Sequence, residues 1–265
     1  MSEESEQSQA GDASDLGEMG FLDHLQELRK RLIHAIAAAF AGMLACFAFS
    51  QQLFEWLMLP LYRVMPEGSS MIYTAPHEAF FTYIKVALIA GIFLASPYIF
   101  YQVWIFVKPG LYASERKYIA PIAFVSALLF VGGAVFGYFI IFPPAYNFFM
   151  SFTNQYINPM ISMKEGFSFA FRILLAFGVV FELPLAIFFL ARLGVVTSEM
   201  LRRIRKYAIL VIFAVSALLT PPDLFTQTFM AGPVIVLYEA SIWIARIFGR
   251  REPKKKEKES GGDTE

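Results

Sequence analysis

Residues 118–163 read YIAPIAFVSALLFVGGAVFGYFIIFPPAYNFFMSFTNQYINPMISM, a run of 46 positions without a charged side chain, closed by Lys117 on one side and Lys164 on the other. A helix that crosses a bilayer needs about 20 predominantly apolar residues. The run holds one such helix, with Gly132 and Gly133 allowing close packing and Pro143 and Pro144 expected to end it. Composition generalises the reading. Hydrophobic residues make up 57% of the 265 and charged residues 17%, and phenylalanine occurs 29 times. Soluble domains carry roughly a quarter charged residues, so a soluble fold is excluded. The chain is expected to be an all-α integral membrane protein.

Outward from that run, further apolar stretches give six spans, at about 32–50, 78–100, 118–142, 167–190, 207–221 and 224–246. They form one membrane domain over residues 19–248. Residues 1–18 hold six acids and no base, and 249–265 are a mixed-charge tail; both are expected to be disordered. The acidic opening also argues against a cleavable signal peptide, which begins with basic residues. Orientation follows from lysine and arginine, which mark cytoplasmic loops. Eighteen of the 22 basic residues fall before span one, after spans two and four, or in the tail. Only Arg63 and Lys164 fall in the opposite loops, while Lys85 and Arg172 lie near span ends and can snorkel. Both termini are therefore expected in the cytoplasm and the chain in the cytoplasmic (inner) membrane. Spans five and six are short, with 16 uncharged residues between Lys206 and Asp223 and 15 between Asp223 and Glu239. At 1.5 Å per residue the latter reaches about 22 Å against a hydrocarbon layer of about 30 Å. Either the bilayer thins there or a partner covers the edge, or flanking residues extend both helices with Glu239 facing protein.

No enzyme is expected. His77-Glu78 opens like a zinc-protease motif, but the second histidine position holds Phe81. The stretch 166–170, GFSFA, resembles a nucleophile elbow without its last glycine. Histidines 24, 34 and 77 and the single Cys46 are scattered, so no metal, cofactor or disulfide framework is implied, and nothing suggests a nucleic-acid partner.

Three acids remain as candidate ligands. Residues 20–32 place Phe21, Leu22, Leu25, Leu28 and Leu32 at helical spacing, an amphipathic helix on the cytoplasmic surface. On its polar face Glu27 either pairs with Arg31 four residues on or stays available to a cationic ligand. Glu115, between spans two and three, lies on the same membrane face, and both carboxylates suit the planar guanidinium fork. Glu182 lies deep in span four, where a carboxylate costs several kcal/mol unless paired or wet, and Pro184 bends the helix beside it.

Four blocks carry a resemblance to a known family. HLQELRKRL at 24–32, ASPYIFYQVWIF at 95–106 followed by Pro109 and LYASER at 111–116, FGVVFELP at 177–184, and LLTPPDLFTQ at 218–227 stand in order along the chain. Together they resemble the TatC family, the core subunit of the twin-arginine protein translocase. The resemblance implies six helices in a concave, cupped arrangement with short fifth and sixth helices. It implies a receptor for twin-arginine signal peptides that exports folded proteins using the proton-motive force. Matched by motif, Glu27 and Glu115 would bind the paired arginines with Phe106 beside them. Glu182 and Pro184 would lie in the membrane groove. Thr220 and Gln227 would meet single-span TatA/TatB-type subunits, and Asp223 would sit in the external turn. A homo-oligomeric complex is the expected assembly. The alternative is a proton- or ion-coupled small-solute transporter using Glu182 as its coupling site, though such transporters place paired elements at the bilayer midplane.

Overall fold

The apolar runs become helices because a backbone inside a bilayer must satisfy its own hydrogen bonds. The computed structural model describes residues 3–66, 69–108, 119–153, 159–220 and 223–249, with side chains from residue 22 onward. In chain order the helices are α1 (Glu3–Phe47), α2 (Ser50–Tyr62), α3 (Glu78–Val107), α4 (Ile119–Phe136), a π-helical segment (Gly137–Ile141), α5 (Phe142–Met150), α6 (Met163–Phe181), α7 (Leu183–Arg192), α8 (Ser198–Leu219) and α9 (Leu224–Phe248). Five stretches are long and apolar enough to cross a membrane: Leu22–Phe47, Glu78–Val107, Ile119–Met150, Met163–Arg192 and Leu224–Phe248. The protein is thus all-helical, with an apolar exterior. Leu32, Ile36, Phe40 and Leu44 on α1 and Leu210, Leu218 and Trp243 on α8 and α9 are all exposed.

Several boundaries differ from the sequence reading. Helix α1 begins at Glu3, so the leader expected to be disordered is helical from that point. It contains no proline to interrupt it. The tail beyond Gly249 lies outside the described residues. Helix α2 was not anticipated; it buries Phe54, Met58 and Leu61 despite Pro60 within it. Pro143 and Pro144 do not end the third span, which runs on to Met150. The π-segment before them lets the chain restart as α5 with proline in its first turn, where a missing N–H breaks no bond. Helix α9 is 25 residues, not short, because Glu239 is matched by Arg205 rather than ending the helix. Arg205 Nε lies 2.6 Å from Glu239 Oε1, an ion pair between α8 and α9. Helix α8 reaches 22 residues, but Arg202, Arg203, Arg205 and Lys206 occupy its first half, so its apolar part stays short.

Packing runs α1 on α3, α3 on α4, α4 on α6, α7 on α9 and α8 on α9. Two crossings depend on absent side chains. A Cβ on Gly91 of α3 would sit 2.3 Å from the Met43 nitrogen of α1, and one on Gly133 of α4 would sit 2.3 Å from the Phe177 oxygen of α6. The main core gathers Phe54, Met58, Leu61, Val86, Phe142, Phe167, Ile173 and Phe177 from α2, α3, α5 and α6, with Met230 from α9.

The end of the bundle holding the α2–α3 and α5–α6 connections is tied by one buried acid. Glu78 accepts from Thr74 N (2.8 Å), Thr74 Oγ1 (2.9 Å), Ser162 Oγ (2.6 Å) and Lys164 N (3.0 Å). Beside it, Ile72 and Ser162 form a parallel bridge, with Ile72 N donating to Ile161 O and Met163 N to Ile72 O. Glu78, the acid of the incomplete protease motif, has another use. Its role is to join two loops.

Candidate functional site

At the opposite end, the blocks at 24–32 and 95–106 meet where α1 crosses the C-terminal turns of α3. Glu27 and Arg31 lie one turn apart on α1, and Arg31 Nη2 donates to Glu27 Oε1 at 3.2 Å. The other fork nitrogen, Nη1, makes a long 3.4 Å bond to Oε1 of Gln102, which is buried on α3. Arg31 Nε is buried without a hydrogen-bond partner among the described residues. One turn before Glu27, His24 stacks on Phe106 with ring centroids 4.5 Å apart and planes 18° off parallel. Arg31 thus links the part-buried Glu27 to Gln102, with the His24–Phe106 pair one turn away, and together these form one constellation. Glu115 lies outside the described residues. Of the two readings of Glu27, the structure shows the pairing with Arg31 one turn on.

Glu182 lies at the junction of α6 and α7. Pro184, second in α7, has no N–H to continue the α6 ladder, and the chain resumes with Ala186 N donating to Glu182 O at 2.8 Å. The Glu182 carboxyl faces Ser126 of α4, and its Oε1 is buried without a partner among the described residues. Ser126, fully buried, accepts in turn from Trp104 Nε1 at 2.9 Å. Trp104 packs on Phe189 of α7, centroids 4.3 Å apart. A single turn of α3 thus serves both places: Gln102 and Phe106 face α1, and Trp104 between them faces Ser126 beside Glu182. Sequence reasoning missed Gln102, Trp104 and Ser126. The available signal was a buried indole and amide in an apolar helix, which must find partners.

The polar residues between α8 and α9 bond within that pair. Thr220 Oγ1 donates to Ser216 O at 3.0 Å, and Gln227 Nε2 reaches across to Phe213 O at 3.0 Å. Asp223 caps α9, accepting from Thr226 N at 2.7 Å and from the Thr226 hydroxyl. Pro221 and Pro222 lie outside the described residues.

The family model described as Sec-independent protein translocase protein (TatC) matches residues 23–233. The chain is 48% identical over 231 residues to the Sec-independent protein translocase protein TatC of Desulforapulum autotrophicum, covering 87% of this chain and 86% of that one. It is 37% identical over 222 residues to that of Escherichia coli K12, covering 84% and 86%. A crystal structure described as the twin-arginine translocase receptor TatC superposes with a TM-score of 0.77 at 40% identity, over 84% of this chain and 97% of the other. The small-solute transporter alternative finds no support among them. With all four sequence blocks inside the matched region and the same helical architecture in the solved structure, the chain belongs to the TatC family of Sec-independent protein translocase proteins.

Proposed function

We propose that this chain is the signal-peptide receptor of a twin-arginine translocase in the inner membrane, with Glu27 as a docking carboxylate. The observation that carries this is the Arg31–Glu27 contact beside Gln102 and the His24–Phe106 stack: a carboxylate already holding a guanidinium, at a protein surface. An incoming paired-arginine segment offers the same fork, and Glu115 supplies the second acid, with Phe106 bordering the site. Helix α8 counts as the fifth of six spans, which puts both termini and the Glu27 end in the cytoplasm and the Glu78 end outside. The six helices form a cup whose concave side contains Glu182 and Pro184. The signal peptide enters this groove after docking, and folded cargo follows under the proton-motive force. The α8–α9 edge, with Thr220 and Gln227, receives single-span TatA/TatB-type subunits, because the short apolar part of α8 leaves hydrophobic mismatch there. Several copies assemble together.

The test is co-purification of a twin-arginine precursor. Glu27→Gln or Glu115→Gln weakens binding about tenfold or more, since a charge-assisted bond to arginine contributes about 1.5–3 kcal/mol. The double charge reversal abolishes it. A folded double mutant that retains full precursor binding would sink the proposal. A paired-lysine precursor binds less well, because an ammonium cannot make two parallel bonds.

A further inference from the structure

A cleft of about 730 Å³ opens on the apolar flank of the bundle, near the end where Glu78 joins the loops. It is well separated in the sequence and along the helices from the Glu27 constellation. Its lining runs from the exposed Trp56 and Phe139 down to a floor of buried Val86 and Phe167, with Ala90 and Phe93 along α3. The lining is nearly all apolar, and its volume is within the roughly 300–1,000 Å³ range of sites that hold small molecules. Two features distinguish it from a packing defect. The first is the wall: Tyr138 and Phe139 belong to the π-helical segment, a rare geometry found frequently at functional sites. Tyr138 Oη donates to Trp56 O at 2.5 Å, which fixes α2 against that segment and holds the cleft's shape. The second is the mouth: Arg63, just past the end of α2, lines the cleft, is exposed, and makes no ion pair among the described residues. Trp56 and Tyr62 flank it with the amphipathic aromatics that settle at headgroup depth.

We propose that this cleft is a phospholipid site, with an acyl chain along the Val86–Phe93 wall of α3 and the headgroup phosphate on Arg63. Apolar depth explains the chain, and a guanidinium at the mouth explains the phosphate, which it can hold with two bonds. A cationic signal segment is disfavoured by the same arginine. The assignment requires only that the bundle is embedded in a bilayer, so it stands whichever way the termini face.

The experiment is native mass spectrometry of the detergent-purified full chain titrated with dioleoyl phosphatidylglycerol. Wild type retains one tightly held lipid. Arg63→Gln lowers its retention about tenfold, the loss of one charge-assisted contact. Ala90→Phe, which fills the cleft from its half-buried wall, removes the tight site while the protein stays folded by circular dichroism. Dioleoylglycerol, with the same chains and no phosphate, is held no better by wild type than by Arg63→Gln. Lys85→Gln, an exposed basic residue outside the lining, leaves retention unchanged. Equal lipid retention by wild type, Arg63→Gln and Ala90→Phe overturns the proposal. So does photo-crosslinking from position 57 in native membranes that captures a protein helix in place of lipid.

Discussion

Glu182 and Trp104 both lie beside Ser126, away from the groups around Glu27, so a substitution there should separate docking from transport. Replacing Glu182 with alanine removes the groove acid but none of the groups around Glu27. Precursor co-purification should therefore hold while export of a folded reporter falls, since polar contacts matter most in a low-dielectric setting. Loss of docking by a stably inserted Glu182→Ala protein would show that the two places are one site. Trp104→Phe removes the donor to Ser126 and should lower stability by about 1–2 kcal/mol, read from thermal unfolding in detergent. The two residues were not equally legible. Glu182 stood out because an ionisable group in an apolar run is costly wherever it points. Trp104, Ser126 and Gln102 carry no charge, so their sequence context is the same for a lipid-facing or a buried position. Only packing showed which they were. Glu78 was the opposite error: a charge at the mouth of a span, discarded with a motif it did not complete, that accepts four hydrogen bonds.

At the scale of helices, the glycine crossings give a sharp contrast. Gly91→Val drives a Cβ into the backbone of α1 at Met43 and should cost about 3 kcal/mol or more, seen as loss of folded protein after solubilisation. Gly132→Ala meets nothing within 4 Å and should be neutral or slightly stabilising. The sequence named Gly132 and Gly133 together as packing residues, and the helical rotation that turns only Gly133 toward Phe177 could not be read from the pair. Pro143 and Pro144 were legible as a break, but whether a break ends a helix depends on the turn before it. Here a π-turn absorbed them. Helix α8 also carries a prediction. Four leucines inserted after Val211 add about 6 Å and should relieve the mismatch. Export should drop while precursor docking persists; unchanged export would remove the case for a thinned or partnered edge.

At the scale of the whole molecule, the topology rests on the segregation of basic residues, and labelling tests it. In a Cys46→Ser background, cysteines at positions 63 and 164 should react with an impermeant thiol reagent added outside cells, and one at 203 should not. External labelling at 203 in sealed cells would overturn the six-span reading. The Glu78 junction adds a statement about time. Its partners Ser162 and Lys164 lie 84 and 86 residues downstream, so as the chain leaves the ribosome the acid emerges long before they do. Until α6 has been inserted, Glu78 has only Thr74 to bond, and the two loops are independent strands open to proteases on that face. The knot then closes once, and late. A nascent chain stopped before Met163 should be clipped between residues 66 and 78 by an added protease, while a chain released after α6 resists. The junction therefore marks how far synthesis has proceeded.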